Sequence, residues 1–113
     1  MPQRHVFIVL TNPAEGRDDE YNDWYSNTHI ADVLTVPGVV AAQRFKLSDK
    51  QRMAGKLPWQ YLAIYECETD DLDEVINALK ERSGGETMPL TSALADERVS
   101  WFFHPVTERA VAG

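Results

Sequence analysis

The sequence predicts an α+β fold with its elements in the order β-α-β-β-α-β. Three observations predict it. Four short runs at 4–11, 39–47, 59–68 and 98–106 are rich in β-branched and aromatic residues. Leu72, Val75, Ile76 and Leu79 recur at i, i+3, i+4 and i+7, the period of a one-sided helix. Asn12-Pro13, Pro37-Gly38 and Ser83-Gly84-Gly85 punctuate the chain between these stretches. With 113 residues and 43% apolar composition, the chain is sized for one domain, 1–113, around one core.

The first run, RHVFIVLT, is apolar on both faces over most of its length, which predicts a strand covered on both sides. Residues 18–35 read as a helix. Asp18, Asp19 and Glu20 sit in its first turn, where the dipole favours negative charge, and Pro37-Gly38 stops it. Its apolar pattern has a fault: Tyr21, Trp24 and Tyr25 form one triplet and Ile30, Val33 and Leu34 another. The two lie nine residues apart, roughly 180° around an ideal helix. Either the helix kinks near Ser26-Asn27-Thr28 or it is buried on two sides. VVAAQRFKL, with Gln43, Phe45 and Leu47 alternating against Arg44 and Lys46, is the second strand. A polar loop at 48–58 leads to the third, in which Trp59, Tyr61, Ala63 and Tyr65 share a face and Leu62, Ile64 and Glu66 share the other. The second helix has Thr69 or Asp70 as its expected cap and ends at Ser83-Gly84-Gly85. MPLTSALA, 88–95, is expected to add one short helical turn, and RVSWFFHPV closes the set as a ring-rich strand ended by Pro105. This order is the ferredoxin-like, split βαβ arrangement, a four-stranded antiparallel sheet with two helices on one face. The strands are apolar on both faces, so the bare face calls for a partner. A second copy of the chain, packed sheet on sheet, is the simplest.

Charge and cysteine content narrow the function classes. Net charge is −7 with no run of Lys or Arg, which argues against nucleic acid or an anionic membrane surface as partner. The longest apolar run is far below the ~20 residues of a membrane span, and VFIVL is too short for a signal peptide. A single cysteine, Cys67, leaves no intramolecular disulfide and no cysteine-based zinc site. These features point to a cytoplasmic protein. No Gly-rich phosphate loop is present, so a nucleotide cofactor is not expected.

The stretch WYSNTHIADVLTVPGVVAAQRF, 24–45, resembles the dimeric α+β barrel superfamily, most closely its EthD-like branch: a first helix bearing a histidine, here His29, ends in Pro-Gly, here Pro37-Gly38, before a strand. Many relatives have proline two residues after that histidine, where this chain has Ala31. The resemblance implies a homodimer with a ligand pocket between sheet and helices in each subunit. The superfamily's activities range over cofactor-free cyclases and oxygenases, haem-degrading monooxygenases and muconolactone-type isomerases, so the fold does not fix the function.

His29 is the first candidate for chemistry. On an ideal helix it falls between Tyr25 and Val33, on an apolar seam beside a ring, and an imidazole can move protons at neutral pH. The competing reading is a histidine bonded to backbone or exposed on a kinked helix. His5 and His104 open the first strand and close the fourth. Taken as the two central, antiparallel strands, these would bring the two histidines together at one sheet end; the alternative is a pair of solvent-facing strand ends. Some cyclases that the chain resembles carry a working histidine on the first strand. No two histidines have ligand spacing, so no metal site is expected. A haem site would have to use Asn12, Trp59 or Trp101, and His104. Trp24, Tyr25, Tyr61, Tyr65, Trp101 and Phe103 are either core rings or the walls of a pocket for an aromatic ligand. Glu66 is an inward acid or the partner of Arg44 at the dimer face. The function expected is cofactor-independent acid–base chemistry of cyclase, isomerase or lyase type on a small apolar, aromatic or polyketide-like molecule, with His29 as acid or base and Trp24, Tyr25 and Tyr65 orienting it. The rivals are a monooxygenase and a non-catalytic ligand-binding protein.

Overall fold

The computed structural model describes residues 2–113. Strand β1 (Gln3–Thr11) leads to helix α1 (Asp18–Trp24), a π-helical turn (Tyr25–His29) and helix α2 (Ile30–Leu34). Strands β2 (Val39–Lys46) and β3 (Tyr61–Thr69), helix α3 (Leu72–Arg82) and strand β4 (Val99–Phe103) complete the predicted order. The four strands form one antiparallel sheet ordered β2-β3-β1-β4. The central strands are therefore β1 and β3, and β4 lies at an edge, which corrects the expectation that β1 and β4 share the centre.

Register separates the two faces. His5 pairs with Cys67, Phe7 with Tyr65 and Val9 with Ala63, and this row turns toward the helices, where Cys67, Tyr65 and Ala63 are all buried. Phe7 also pairs with Phe102 of β4, and their rings stack with centroids 4.2 Å apart. The alternate row, Ile64, Ile8 and Trp101 across three strands, turns away from the helices. Trp101 is 63% exposed and Phe103 54%.

The phase fault in the first helix is resolved by the π-turn. The Ile30 N–H bonds to the Tyr25 carbonyl, five residues back instead of four. The wider turn lets Tyr21 and Tyr25 on one side of it and Val33 on the other all bury against the sheet, while Leu34, expected to join them, is left 40% exposed.

Gly38 sets the next approach. Its φ of +98° belongs to glycine, and a Cβ there would lie 2.9 Å from Val75 Cγ2 of α3. The same residue's carbonyl accepts from Glu68 N at 2.8 Å, tying the helix stop to β3. Beyond it Val40 is the extra residue of a β-bulge, since Val39 pairs with Cys67 and Ala41 with Glu66. Helix α3 is capped by Asp71, whose carboxylate accepts from Asp73 N, one residue later than expected. Residues 88–95 form a turn and not a helix. Their backbone pairs with 12–14 instead: Ala14 N donates to Ala93 O and Ala95 N to Asn12 O.

Candidate functional site

A cavity of about 280 Å³ lies between the helical face of the sheet and the helices. Phe7, Tyr65 and Phe102 line it from the sheet, Ile76 and Leu79 from α3, and Met88 and Leu94 from the segment before β4. Trp24, Tyr25 and His29, from α1 and the π-turn, line the remaining side. The wall is built from sequence pattern: alternate residues of β1, β3 and β4 face inward, and α3 presents its apolar stripe.

His29 is held between two rings. Its imidazole stacks on Trp24, centroids 4.5 Å apart and planes 24° apart, and meets Tyr25 edge-on at 5.0 Å. Trp24 is itself fixed by its indole N–H, which donates to the Pro89 carbonyl at 3.2 Å. The His29 Nδ1 atom is buried and has no hydrogen-bond partner. Burial, then the positive charges of Arg98 and Arg44, lowers the imidazole pKa from 6.5 to about 4. At neutral pH the ring is uncharged, and its buried Nδ1 is left unsatisfied.

Tyr25 and Tyr65 face one another, the Tyr65 hydroxyl donating to that of Tyr25 at 3.5 Å. Burial raises the Tyr25 pKa to about 12 and raises that of Tyr65 further, with the neighbouring phenol adding to the second. Both remain protonated and can act only as neutral donors or acceptors. Arg44 of β2 supports them from outside the cavity lining. Its guanidinium lies 4.5 Å from the centroid of the Tyr25 ring and also covers Tyr21 and Tyr61. It donates to Ser26 Oγ at 2.7 Å and to Asn22 Oδ1 at 3.0 Å. Arg44 is thus an inward-facing clamp on the π-turn, and Glu66, on the opposite face of the sheet, is not its partner.

The other predicted residues divide. Tyr61 belongs to the Arg44 cluster and donates nothing to the cavity lining; its hydroxyl accepts from Asn22 Nδ2 at 3.1 Å. Trp101 and Phe103 lie on the far face of the sheet, because register places Phe102 and not its neighbours opposite Phe7. His5 is buried opposite Cys67, whose thiol pKa is raised by burial. His104 is exposed one residue beyond β4. The Val6–Phe103 pair does bring these two histidines to one sheet end, but neither lines the cavity. Sequence reading missed Phe7, Phe102, Arg98 and Lys80, all of which line it. The first two were legible as alternate strand positions; the cations carry no periodic signal.

The residues suggested for haem are not assembled. Asn12 is occupied by the loop before β3, its amide donating to Pro58 O and its oxygen accepting from Gln60 N. Trp101 faces away and His104 is outside the cavity. A volume of about 280 Å³ lies at the small end of the ~300–1,000 Å³ typical of ligand pockets, enough for one or two fused rings. Among the described residues no group of three His, Cys, Asp or Glu side chains is placed to hold a metal ion, and no helix is long and apolar enough to cross a membrane.

Comparison with solved structures places this architecture. An EthD-like protein from Ralstonia eutropha JMP134 aligns with a TM-score of 0.65 at 17% identity, over 97% of this chain and 98% of that one. The chain has the ferredoxin-like α+β fold. A proposed antibiotic biosynthesis monooxygenase from Nitrosomonas europaea shares it at a TM-score of 0.64 and 13% identity, over 97% of each chain. So does a variant of MhuD with two manganese protoporphyrin IX groups bound per active site, at a TM-score of 0.59 and 12% identity, over 95% of this chain and 99% of that one. No family model and no curated protein matches the sequence. Within this ferredoxin-like frame, the cavity and His29 are what the chain's own residues offer to chemistry.

Proposed function

We propose that the cavity is the site of a cofactor-independent enzyme that moves protons on a small apolar, aromatic or polyketide-like molecule, in a cyclisation, isomerisation or elimination. One observation carries this reading: a neutral imidazole with a buried, unpartnered nitrogen lines a ring-walled hollow. A satisfied structural histidine would bond that nitrogen. In the reaction envisaged, His29 takes a proton from an acidic carbon of the ligand while the electron pair passes to an adjacent carbonyl oxygen. Tyr25 and Tyr65, protonated throughout, are the phenols of the lining that would donate to that oxygen. The proton returns from His29 to another atom of the same molecule, so no oxidant or reductant is consumed. Trp24 keeps the imidazole in plane, and Arg44 holds the turn that carries it.

The apolar outer row of Ile8, Ile64 and Trp101 supports a homodimer formed sheet on sheet, which removes these side chains from water without touching the cavity.

Deuterium exchange at the acidic carbon of 1-phenyl-1,3-butanedione, an aryl diketone, followed by NMR, tests the reaction. The protein is expected to accelerate exchange over buffer, and His29→Ala to lose about 100-fold or more of that rate. A ligand carrier would bind the diketone equally well before and after the substitution and exchange nothing. The monooxygenase-named neighbour favours a second reading, oxygen insertion at the same site. Oxygen uptake with the same diketone would favour it, and a Soret shift on titration with haemin would favour its haem-dependent form.

A further inference from the structure

The charge of the cavity runs against the charge of the chain. The protein carries 18 Asp and Glu against 11 Lys and Arg. The cavity lining holds Lys80 and Arg98 and no carboxylate at all. Lys80 stands in the last turn of α3, and Arg98 directly precedes β4, so the two cations reach the cavity from separate elements. Both are exposed, which places them toward its mouth. Among the described residues neither makes an ion pair or a side-chain hydrogen bond, although acidic residues surround them in sequence, Glu81 beside Lys80 and Asp96 and Glu97 before Arg98. The rest of the wall is rings and aliphatic carbons, with Thr11, Ser83 and Ser100 as the small hydroxyl residues in the lining.

We propose that the ligand of this cavity is an aromatic carboxylate, its ring seated against Trp24, Phe7 and Phe102 and its carboxylate bound at the mouth by Arg98 and Lys80. The inference rests on the reading of the cavity as a ligand site and adds the class of molecule. A guanidinium and an ammonium lining one opening bind a carboxylate by charge-assisted hydrogen bonds, and the dry rings of the same lining select a flat apolar body. A neutral ring of the same shape would keep only the second contribution. The net negative charge of the remaining surface would repel anions elsewhere, so the paired cations also direct approach to this opening.

Calorimetric titration of the full chain with 2-naphthoate and with its neutral isostere 2-naphthamide separates the two contributions. The carboxylate is expected to bind at least about 10-fold more tightly. That advantage should shrink as salt rises from about 0.01 to about 0.1 M, while amide binding stays level. In the double variant Arg98→Gln/Lys80→Gln, circular dichroism should be unchanged, amide affinity kept and the preference for the carboxylate gone. Equal binding of amide and carboxylate, or a preference that survives the double variant, overturns the anion proposal and leaves the cavity as a ligand site. Failure of both molecules to bind overturns the two readings together.

Discussion

Acidification of the folded protein puts the environment of His29 to a direct test. In the native state its imidazole is burdened by burial and by two guanidinium charges, and it takes up a proton only near pH 4. In the unfolded chain it does so near the ordinary 6.5. Between these values the unfolded state binds more protons than the native one, so stability rises with pH across the window. The stabilisation from the neutral imidazole is fully present above about pH 6.5, drains as pH falls, and is exhausted near pH 4. At roughly 1.4 kcal/mol per pH unit the loss is on the order of 3 kcal/mol, a large part of the 5–15 kcal/mol that holds a small domain together. Urea unfolding from about pH 7.5 to about pH 4, on wild type and His29→Gln, isolates the contribution, because the glutamine fills much of the space and does not titrate. Wild type should lose roughly 2–3 kcal/mol more than the variant over that range. Parallel curves would refute the reasoning: they would mean that the imidazole is solvated or paired in the native state, and that the hollow beside it does not exclude water.

The remaining predictions concern the frame around the site. Gly38→Ala should cost about 2–4 kcal/mol by thermal unfolding, because positive φ and the contact with Val75 act together, whereas Gly16→Ala, with φ of +75° and open space around its Cβ, should cost about 1 kcal/mol. Arg44→Met should lose about 2 kcal/mol through its bonds to Ser26 and Asn22 and its place over Tyr25, measured by urea unfolding. If the proposed sheet-on-sheet dimer forms, wild type should sediment at twice the chain mass and Ile64→Lys combined with Trp101→Lys at the chain mass with circular dichroism unchanged; a monomeric wild type, or a variant that keeps the doubled mass, would overturn that arrangement.

Much of this molecule was legible as periodicity. The element order follows from runs of period two and one stretch of period 3.6, with Pro and Gly between them, whereas the pocket's general position comes from the resemblance to dimeric α+β barrels and not from periodicity. What periodicity does not carry is the phase of one element against another. Trp101, Phe102 and Phe103 are three rings in succession, and only the pairing of Phe7 with Phe102 decides which enters the cavity. From sequence Arg44 reads only as a partner for Glu66 at the dimer face, because alternation with Phe45 does not say which face of the sheet it takes. Buried charge is costly, yet here the guanidinium is spread over tyrosine rings and bonded twice, so an inward cation is tolerated. Arg98 and Lys80 escape for a plainer reason: one opens the run read as the fourth strand, which in fact begins at Val99, the other lies on the charged side of a helix, and their shared place in the cavity lining exists only in three dimensions.

The π-turn joins the fold problem to the chemical one. Two apolar triplets nine residues apart cannot share a face of a regular helix, and a Pro or Gly kink between them would have broken the hydrogen-bond ladder. The chain inserts a wider turn instead, five residues that keep their bonds and change the phase. Tyr21 and Val33 then both reach the core, and His29, the last residue of that turn, stands where the two faces hand over. A residue in that position is walled by the rings of the first face, Trp24 and Tyr25, and opens onto the cavity lined by the second, Val33. The irregularity that hides the helix's phase from a sequence reading is therefore the same feature that carries the imidazole into a dry, aromatic setting with one nitrogen unspent.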